Sequence, residues 1–228
     1  MTINQRKIYD PYQFGFSFEL NDQHLRHLIR LFNKPSKVSN SILGGRRSVV
    51  IDEMNIIGSV AVKFYHRGGM LRHFIKNSYL KYGKTRGERE YELLQKVRSF
   101  GISAPEPIAF AYRGSIFYQA WLVTREIKQH LTLAQISLSD QNLAGILMQE
   151  VVKQISRLIT NNILHIDLHP GNIIVDQRNR IYFIDFDKGC VYSGSKKKLK
   201  DRYVSRWNRA VLKHKLPKIL VELMQINL

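Results

Sequence analysis

His165-Ile-Asp-Leu-His-Pro-Gly-Asn172 leads into Ile173-Ile-Val175, Asp176-Gln-Arg-Asn-Arg180 and Ile181-Tyr-Phe-Ile-Asp-Phe-Asp187, and the reading of the whole chain turns on this stretch. Two short apolar runs separated by five polar residues spell a small β-hairpin. The ends of this hairpin carry Asp167, Asn172 and Asp185, oxygen donors of the kind that Mg²⁺ and a reacting hydroxyl require. Acidic and amide groups at both ends of so short a hairpin suit a metal better than a structural core. Just upstream, Leu143, Leu147, Val151, Ile155 and Leu158 recur every three or four residues between a Ser139-Asp140 cap and Asn161-Asn162, which predicts a long amphipathic helix. His165 is expected to be a buried histidine that braces the loop. For Asp187, a second metal-site carboxylate and a loop cap stay open.

Working outward, the 228 residues hold 36 Lys+Arg against 18 Asp+Glu, a formal charge of +18. That charge argues against an ordinary neutral enzyme with a neutral substrate; nucleic acid, an anionic lipid surface and a polyanionic small substrate are the usual users of such an excess. The length allows one domain or two small lobes, and 44% hydrophobic residues are too many for a disordered basic tail. The single cysteine, Cys190, excludes an internal disulfide and a Cys-rich zinc site, which favours a reducing, cytoplasmic setting. The first residues lack the apolar run of a signal peptide, and the longest apolar stretch, near Ile116–Val123, is too short to span a bilayer.

The N-terminal half reads differently from the C-terminal half. Ser48 to Phe64 is strand-like on both sides of a turn expected at Asp52-Glu-Met-Asn55; Arg86 to Phe100 is helical and stops at Gly101; Ile116–Ile127 is again strand-like. Asp167-x-x-x-x-Asn172 has the spacing of the protein-kinase catalytic loop, with Ile184-Asp-Phe where the metal-binding Asp-Phe-Gly stands. Val60-Ala-Val-Lys63 matches the strand whose lysine meets nucleotide phosphates. Glu90 shares a helical face with Leu94 and Val97 and is the expected partner of Lys63, whereas Glu88 and Glu92 fall on other faces. Leu43-Gly44-Gly45-Arg46-Arg47-Ser48 stands where a phosphate-covering turn belongs. The resemblance of these motifs to those of protein kinases implies an α+β fold, a two-lobed eukaryotic-protein-kinase-like domain over 1–228, with a β-rich N-lobe to about residue 124 and a compact, mainly helical C-lobe from about residue 125.

The chain resembles the lipopolysaccharide kinase family. The matches are Gly44-Gly-Arg46, Ala61-Val-Lys-Phe-Tyr-His-Arg67-Gly-Gly69, Glu90-Tyr-Glu-Leu-Leu94, Gly101-Ile-Ser-Ala-Pro105-Glu-Pro107, His165-Ile-Asp-Leu168 through Asn172, and Ile184-Asp-Phe-Asp187-Lys188. The resemblance implies ATP- and Mg²⁺-dependent phosphorylation of a 3-deoxy-D-manno-octulosonic acid (Kdo) sugar on a lipid A precursor, at the cytoplasmic face of the inner membrane. It also implies roles: Asp167 for the acceptor hydroxyl, Asn172 and Asp185 for Mg²⁺, and Lys63 fixed by Glu90 for the α- and β-phosphates. Backbone N–H groups around Gly44 and Gly45 would cover the triphosphate, with Arg46 or Arg47 adding charge, and the backbone at Glu126-Ile127 would meet adenine. A monomer is expected.

Ten Lys/Arg and one acidic residue, Asp201, lie between Gly189 and Lys218. A helix over Asp201–Lys213 would align Arg202, Arg206, Arg209 and Lys213 on one stripe and Tyr203, Val204, Trp207, Ala210 and Val211 on another. Such a helix suits an anionic membrane surface or the anionic groups of the acceptor, with the aromatics facing the lobe or the bilayer interface. The competing readings are a kinase of another acceptor, either a lipopolysaccharide heptose or a small soluble alcohol or aminoglycoside, and, less favoured, a nucleic-acid-binding protein with a decayed kinase fold.

Overall fold

The structure, a computed structural model, describes residues 5–17, 19–34, 38–40, 46–65 and 79–228. Two compact units are present: Met1–Asn40, Gly45–Gln95 and Glu106–Glu126 form the first, and Ser41–Gly44, Lys96–Pro105 and Ile127–Leu228 the second. Gly44, Gly45 and the Arg67-Gly-Gly69 run lie outside the described residues.

The first unit is built on antiparallel strands. In order along the chain they are β1 (Gln5–Tyr9), β2 (Tyr12–Phe16), β3 (Val38–Asn40), β4 (Arg46–Met54), β5 (Gly58–Phe64), β6 (Tyr79–Leu80), β7 (Pro107–Arg113) and β8 (Phe117–Arg125). They lie in the sheet order β1-β2-β7-β8-β5-β4-β3, with β6 paired to β8. Tyr12, Phe14 and Phe16 recur at period two and are all buried, so β2 turns one face into the core. Gly15 is required between them: a Cβ there would fall 2.2 Å from the Phe110 ring.

Helix α1 (Asp22–Phe32) packs Leu25, Leu28, Leu31 and Phe32 into the same core, where Phe32 and Trp121 stack at 4.6 Å between ring centroids. Its start is written in Asn21-x-x-His24. The Asn21 side chain accepts the His24 N–H at 2.9 Å, while His24 Nδ1 accepts the Asn21 N–H at 3.4 Å. With Nδ1 accepting, Nε2 carries the proton and donates to Asn55 O at 3.1 Å, which fixes the β4–β5 turn.

That turn is a correction. It spans Asn55–Ile57 instead of Asp52–Asn55, because β4 continues through Met54, which pairs with Gly58. Met54 is 1% exposed, and ending the strand earlier would pull it out of the core. Ile56 and Gly58 take the positive φ values, 70° and 85°.

Helix α2 (Arg86–Ser99) begins in the first unit and ends in the second. It stops at Gly101 (φ 71°), where Gly101 N–H donates to Arg98 O and Ile102 N–H to Val97 O, a Schellman closure.

The second unit is mainly helical. It holds β9 (Leu131–Thr132), α3 (Leu133–Ser139), α4 (Gln141–Thr160), β10 (Ile163–Leu164), β11 (Ile173–Val175), β12 (Ile181–Phe183), β13 (Cys190–Val191), α5 (Lys196–Lys213) and α6 (Ile219–Asn227). Strands β12, β11 and β9 form one small sheet, and β10 and β13 another. Asp140 caps α4 through its side chain and Asn161 ends it, as the sequence predicts.

Helix α5 starts at Lys196, earlier than the Asp201 expected from periodicity, because Ser195 accepts the Lys198 N–H and caps it there. Its aromatics face inward. Tyr203 and Trp207 are buried, and Trp207 Nε1 donates to Leu220 O at 2.8 Å, so they pack within this unit and do not present themselves to a bilayer.

Candidate active site

In the first unit, Lys63 sits on β5 between Val49 of β4 and Leu122 of β8, which fixes its backbone on both sides. Its Nζ lies 2.8 and 3.0 Å from the two oxygens of Glu90. Glu90 is 3% exposed and also accepts the Tyr65 hydroxyl proton at 2.6 Å. A buried carboxylate that accepts from both Lys63 and Tyr65 is fixed in orientation.

The approach of α2 that permits this pair depends on Gly87, three residues before Glu90. A Cβ at Gly87 would lie 2.8 Å from Trp121 O, so the first turn of α2 rests directly on the β8 backbone. Glu88, set aside in the sequence as off-face, is buried at 4% and paired with Arg6 of β1 at 2.7 Å. Glu88 thus faces a different neighbour from Glu90, and its burial shows that the first turn of α2 is enclosed on more than one side.

Glu126 N–H donates to Ser59 O at 3.0 Å, and its carboxylate accepts the Ser59 hydroxyl. His130 Nδ1 contacts Ile127 O. The Glu126 amide and the Ile127 carbonyl are therefore both engaged within the chain. Arg46 contributes backbone to β4, paired with Asn40.

In the second unit, the loop 165–172 and the β11–β12 hairpin form a continuous hydrogen-bonded frame. Asn172 Nδ2 donates to Asp167 O at 2.8 Å, which turns the amide oxygen away from that carbonyl. Asn172 O accepts the Ile184 N–H at 3.0 Å, extending the Ile173–Phe183 pairing by one step and setting Asp185 next to Asn172. Asp185 has φ 68°, a left-handed conformation that Asp tolerates better than most residues and that re-aims a side chain at a strand end.

His165 is 1% exposed, and its Nε2 lies 3.0 Å from Ile184 O. A carbonyl can only accept, so Nε2 carries the proton. Burial holds this imidazole below its usual pKa against the opposing pull of Ile184 O and of the Asp185 and Asp167 charges, so it is neutral and structural. Its ring packs on Phe186, buried at 0%, with centroids 4.4 Å apart. Tyr203 of α5 accepts the His165 N–H at 2.9 Å and donates to Ile163 O at 2.7 Å, tying the helix to the loop. Desolvation pushes the Tyr203 phenol far above its ordinary pKa, so it stays protonated and able to donate.

Asp167 is half-buried and meets two cations, Arg206 at 3.0 Å and Lys188 at 3.4 Å. Neither contact was read from the sequence, where Arg206 counted only as one member of a basic stripe. Among the described residues no three His, Cys, Asp or Glu side chains form a metal cage. Mg²⁺ does not require one, since it is commonly held by one or two carboxylates together with substrate phosphates. The donor set at Asn172 and Asp185 fits that ion.

The chain matches the lipopolysaccharide kinase (Kdo/WaaP) family over residues 34–220. It is 31% identical over 163 residues to the 3-deoxy-D-manno-octulosonic acid kinase of Vibrio vulnificus, covering 69% of each protein. The protein of the same name from Xylella fastidiosa is 29% identical over 173 residues, which is 75% of this chain and 68% of that protein. That match takes in Lys63 and Glu90 in the first unit and Asp167, Asn172 and Asp185 in the second, and on it the chain belongs to the lipopolysaccharide kinase (Kdo/WaaP) family, a family of phosphotransferases.

Proposed function

We propose that the protein transfers the γ-phosphoryl group of ATP to a hydroxyl of the Kdo sugar on a lipid A precursor, through a kinase-like domain with a β-rich N-lobe and a mainly helical C-lobe. The observation that carries this reading is the bidentate Lys63–Glu90 pair: a lysine on a central strand, gripped by a nearly buried helix carboxylate, is the phosphate-binding arrangement of kinases. Relatives named Kdo kinase support the acceptor.

Lys63 meets the α- and β-phosphates, and Glu90 holds its ammonium in place. Gly44, Gly45 and Arg46 are assigned to the turn over the triphosphate on the sequence alone, and the backbone near Glu126 and Ile127 to adenine. Asn172 and Asp185 would hold Mg²⁺, which when bound neutralises charge on the β- and γ-phosphates. Asp167 orients the acceptor hydroxyl and takes its proton as the oxygen bonds to the γ-phosphorus and the bond to ADP breaks. Phosphoryl transfer asks mainly for positioning and charge neutralisation, and a rigid hydrogen-bonded frame from Asp167 to Asp185 supplies the first.

A lipid-linked acceptor brings the protein to a membrane, and we place it as a peripheral enzyme on the cytoplasmic face of the inner membrane. No described helix is long and apolar enough to cross a bilayer. Lys196, Lys197, Lys198, Lys200 and Arg202 of α5 are exposed and supply positive charge for anionic headgroups, about 1 kcal/mol for each near the surface.

The test is turnover of ATP with a panel of acceptors: a Kdo-bearing lipid A precursor, a heptosylated lipid, and soluble sugars and aminoglycosides. Phosphorylation confined to the Kdo-bearing lipid is expected. Equal turnover of the soluble acceptors would overturn the assignment.

A further inference from the structure

Each oxygen of the Asp167 carboxylate faces its own cation. Arg206 Nη2 lies 3.0 Å from Oδ1 and Lys188 Nζ lies 3.4 Å from Oδ2. One positive group would neutralise one carboxylate, so the trio keeps a net positive charge. Arg206 gives Asp167 a single hydrogen bond from Nη2, although a guanidinium carries five N–H donors. Its side chain is 38% exposed and that of Lys188 is 63% exposed. Arg206 Nε is buried without an acceptor, a cost that a guanidinium placed only for stability would avoid.

The position of Arg206 is enforced from both sides. Tyr203 precedes it by less than one helical turn and is locked to Ile163 and His165, while Trp207 follows it and is locked to Leu220. Helix α5 thus delivers a guanidinium to the loop that carries Asp167 without depending on the Arg206–Asp167 contact itself.

We infer that Arg206 and Lys188 bind the carboxylate of the acceptor sugar and so select an acidic sugar over a neutral or cationic one. The inference rests on Asp167 being the group that orients the acceptor hydroxyl, as proposed above. A hydroxyl seated at Asp167 places the rest of its sugar ring within a few ångströms of both cations. A sugar acid offers them a carboxylate, which the planar fork of Arg206 matches in geometry. A neutral sugar leaves the excess charge without an anion, and an aminoglycoside brings like charge against it. The same side chains can hold Asp167 at rest and share their donors with the acceptor when it arrives.

The experiment compares two acceptors, the Kdo-bearing lipid A precursor and the same molecule with the Kdo carboxyl reduced to an alcohol, with wild type, Arg206→Gln, Arg206→Lys and Lys188→Gln. Wild type should favour the carboxylate acceptor in kcat/KM. Arg206→Gln should lose about 10- to 100-fold on that acceptor, the worth of a charge-assisted hydrogen bond, with KM for ATP unchanged and the preference between the two acceptors largely gone. Arg206→Lys should recover part of the preference.

Equal losses on both acceptors, or a wild type that does not distinguish them, would overturn the inference while leaving the proposed reaction standing. Wild-type turnover of neither acceptor would overturn both. Should Arg206→Gln melt early, Lys188→Gln carries the same comparison from an exposed position.

Discussion

Glu90 holds Lys63 with both carboxylate oxygens, at 2.8 and 3.0 Å, from a site only 3% exposed to solvent. The two residues lie 27 positions apart, one on β5 and one on α2, so the pair exists only once the first unit has folded.

Lys63→Met should lower kcat by roughly 100- to 1,000-fold, the usual cost of losing one preorganised charge on a developing anion. It also takes the cation away from buried Glu90 and leaves the Tyr65 hydroxyl on it, so stability should fall by about 1–3 kcal/mol, less than for a fully buried pair because Lys63 keeps 27% exposure. The double variant Lys63→Met/Glu90→Gln should regain most of that stability and none of the activity. Urea denaturation and turnover, measured on the same samples, separate the two effects; recovery of activity in the double variant would contradict the role of Lys63.

Asp185→Asn should abolish Mg²⁺-dependent transfer while the protein melts as wild type does. Asn accepts the left-handed φ of 68° as readily as Asp, so the backbone is not strained by the change. Asp185→Val should also lower the melting temperature, since a β-branched residue is costly at positive φ. Retained turnover in Asp185→Asn would mean that the metal is held elsewhere.

Gly87→Ala should push the first turn of α2 off the β8 backbone, because the new methyl would sit 2.8 Å from Trp121 O. A loss of about 1–3 kcal/mol is expected from overpacking. Activity should fall with it, since Glu90 lies one turn further along the same helix. A variant that melts normally and turns over normally would show that α2 can shift without moving Glu90.

Much of this site was legible because its residues sit in short local patterns. Lys63 follows three apolar strand residues, and Asp167, Asn172 and Asp185 punctuate the ends of two apolar runs, so they stand out as candidates, and the Lys63–Glu90 contact is the expectation among them that the structure shows directly. Arg206 was not legible as a site residue: helical periodicity says which neighbours share its face, while the partner of that face, 39 residues upstream, is set by how α5 docks. In the first 40 residues the alternation of Tyr12, Phe14 and Phe16 and the Asn21-x-x-His24 cap are local signals, for a strand and for a helix start. The β4–β5 turn was misplaced for a related reason. Asp52 and Glu53 look like turn residues, but burial of Met54 outweighs their preference.

The β11–β12 hairpin carries its own pH dependence. Burial raises the Asp176 pKa, but hydrogen bonds from the Arg180 backbone and guanidinium and from Arg178 N–H outweigh it, leaving the carboxyl below its ordinary value. A folded-state pKa lower than the unfolded one stabilises above about pH 4 and is lost as pH falls through it. Asp176→Asn should therefore be less stable than wild type at pH 7, with the gap closing as pH falls from neutral to below the ordinary Asp value of about 4. Chemical denaturation across that range checks it; a constant gap would show that the carboxylate charge plays no part.

Binding of anionic vesicles gives a separate check on α5. Replacing Lys196, Lys197 and Lys200 by Gln should cut partition onto anionic vesicles by roughly 100-fold at low salt, at about 1 kcal/mol per charge, and leave turnover of a detergent-dispersed acceptor unchanged. Unchanged vesicle binding would remove the membrane role of this helix.

The central claim is tested most directly by locating the phosphate. The protein is incubated with ATP, Mg²⁺ and a Kdo-bearing lipid A precursor, mild acid releases the Kdo, and mass spectrometry is run on the released sugar and the remaining lipid. The account predicts one added phosphate on the Kdo and none on the lipid; phosphate on the lipid, or no transfer to either, would contradict it.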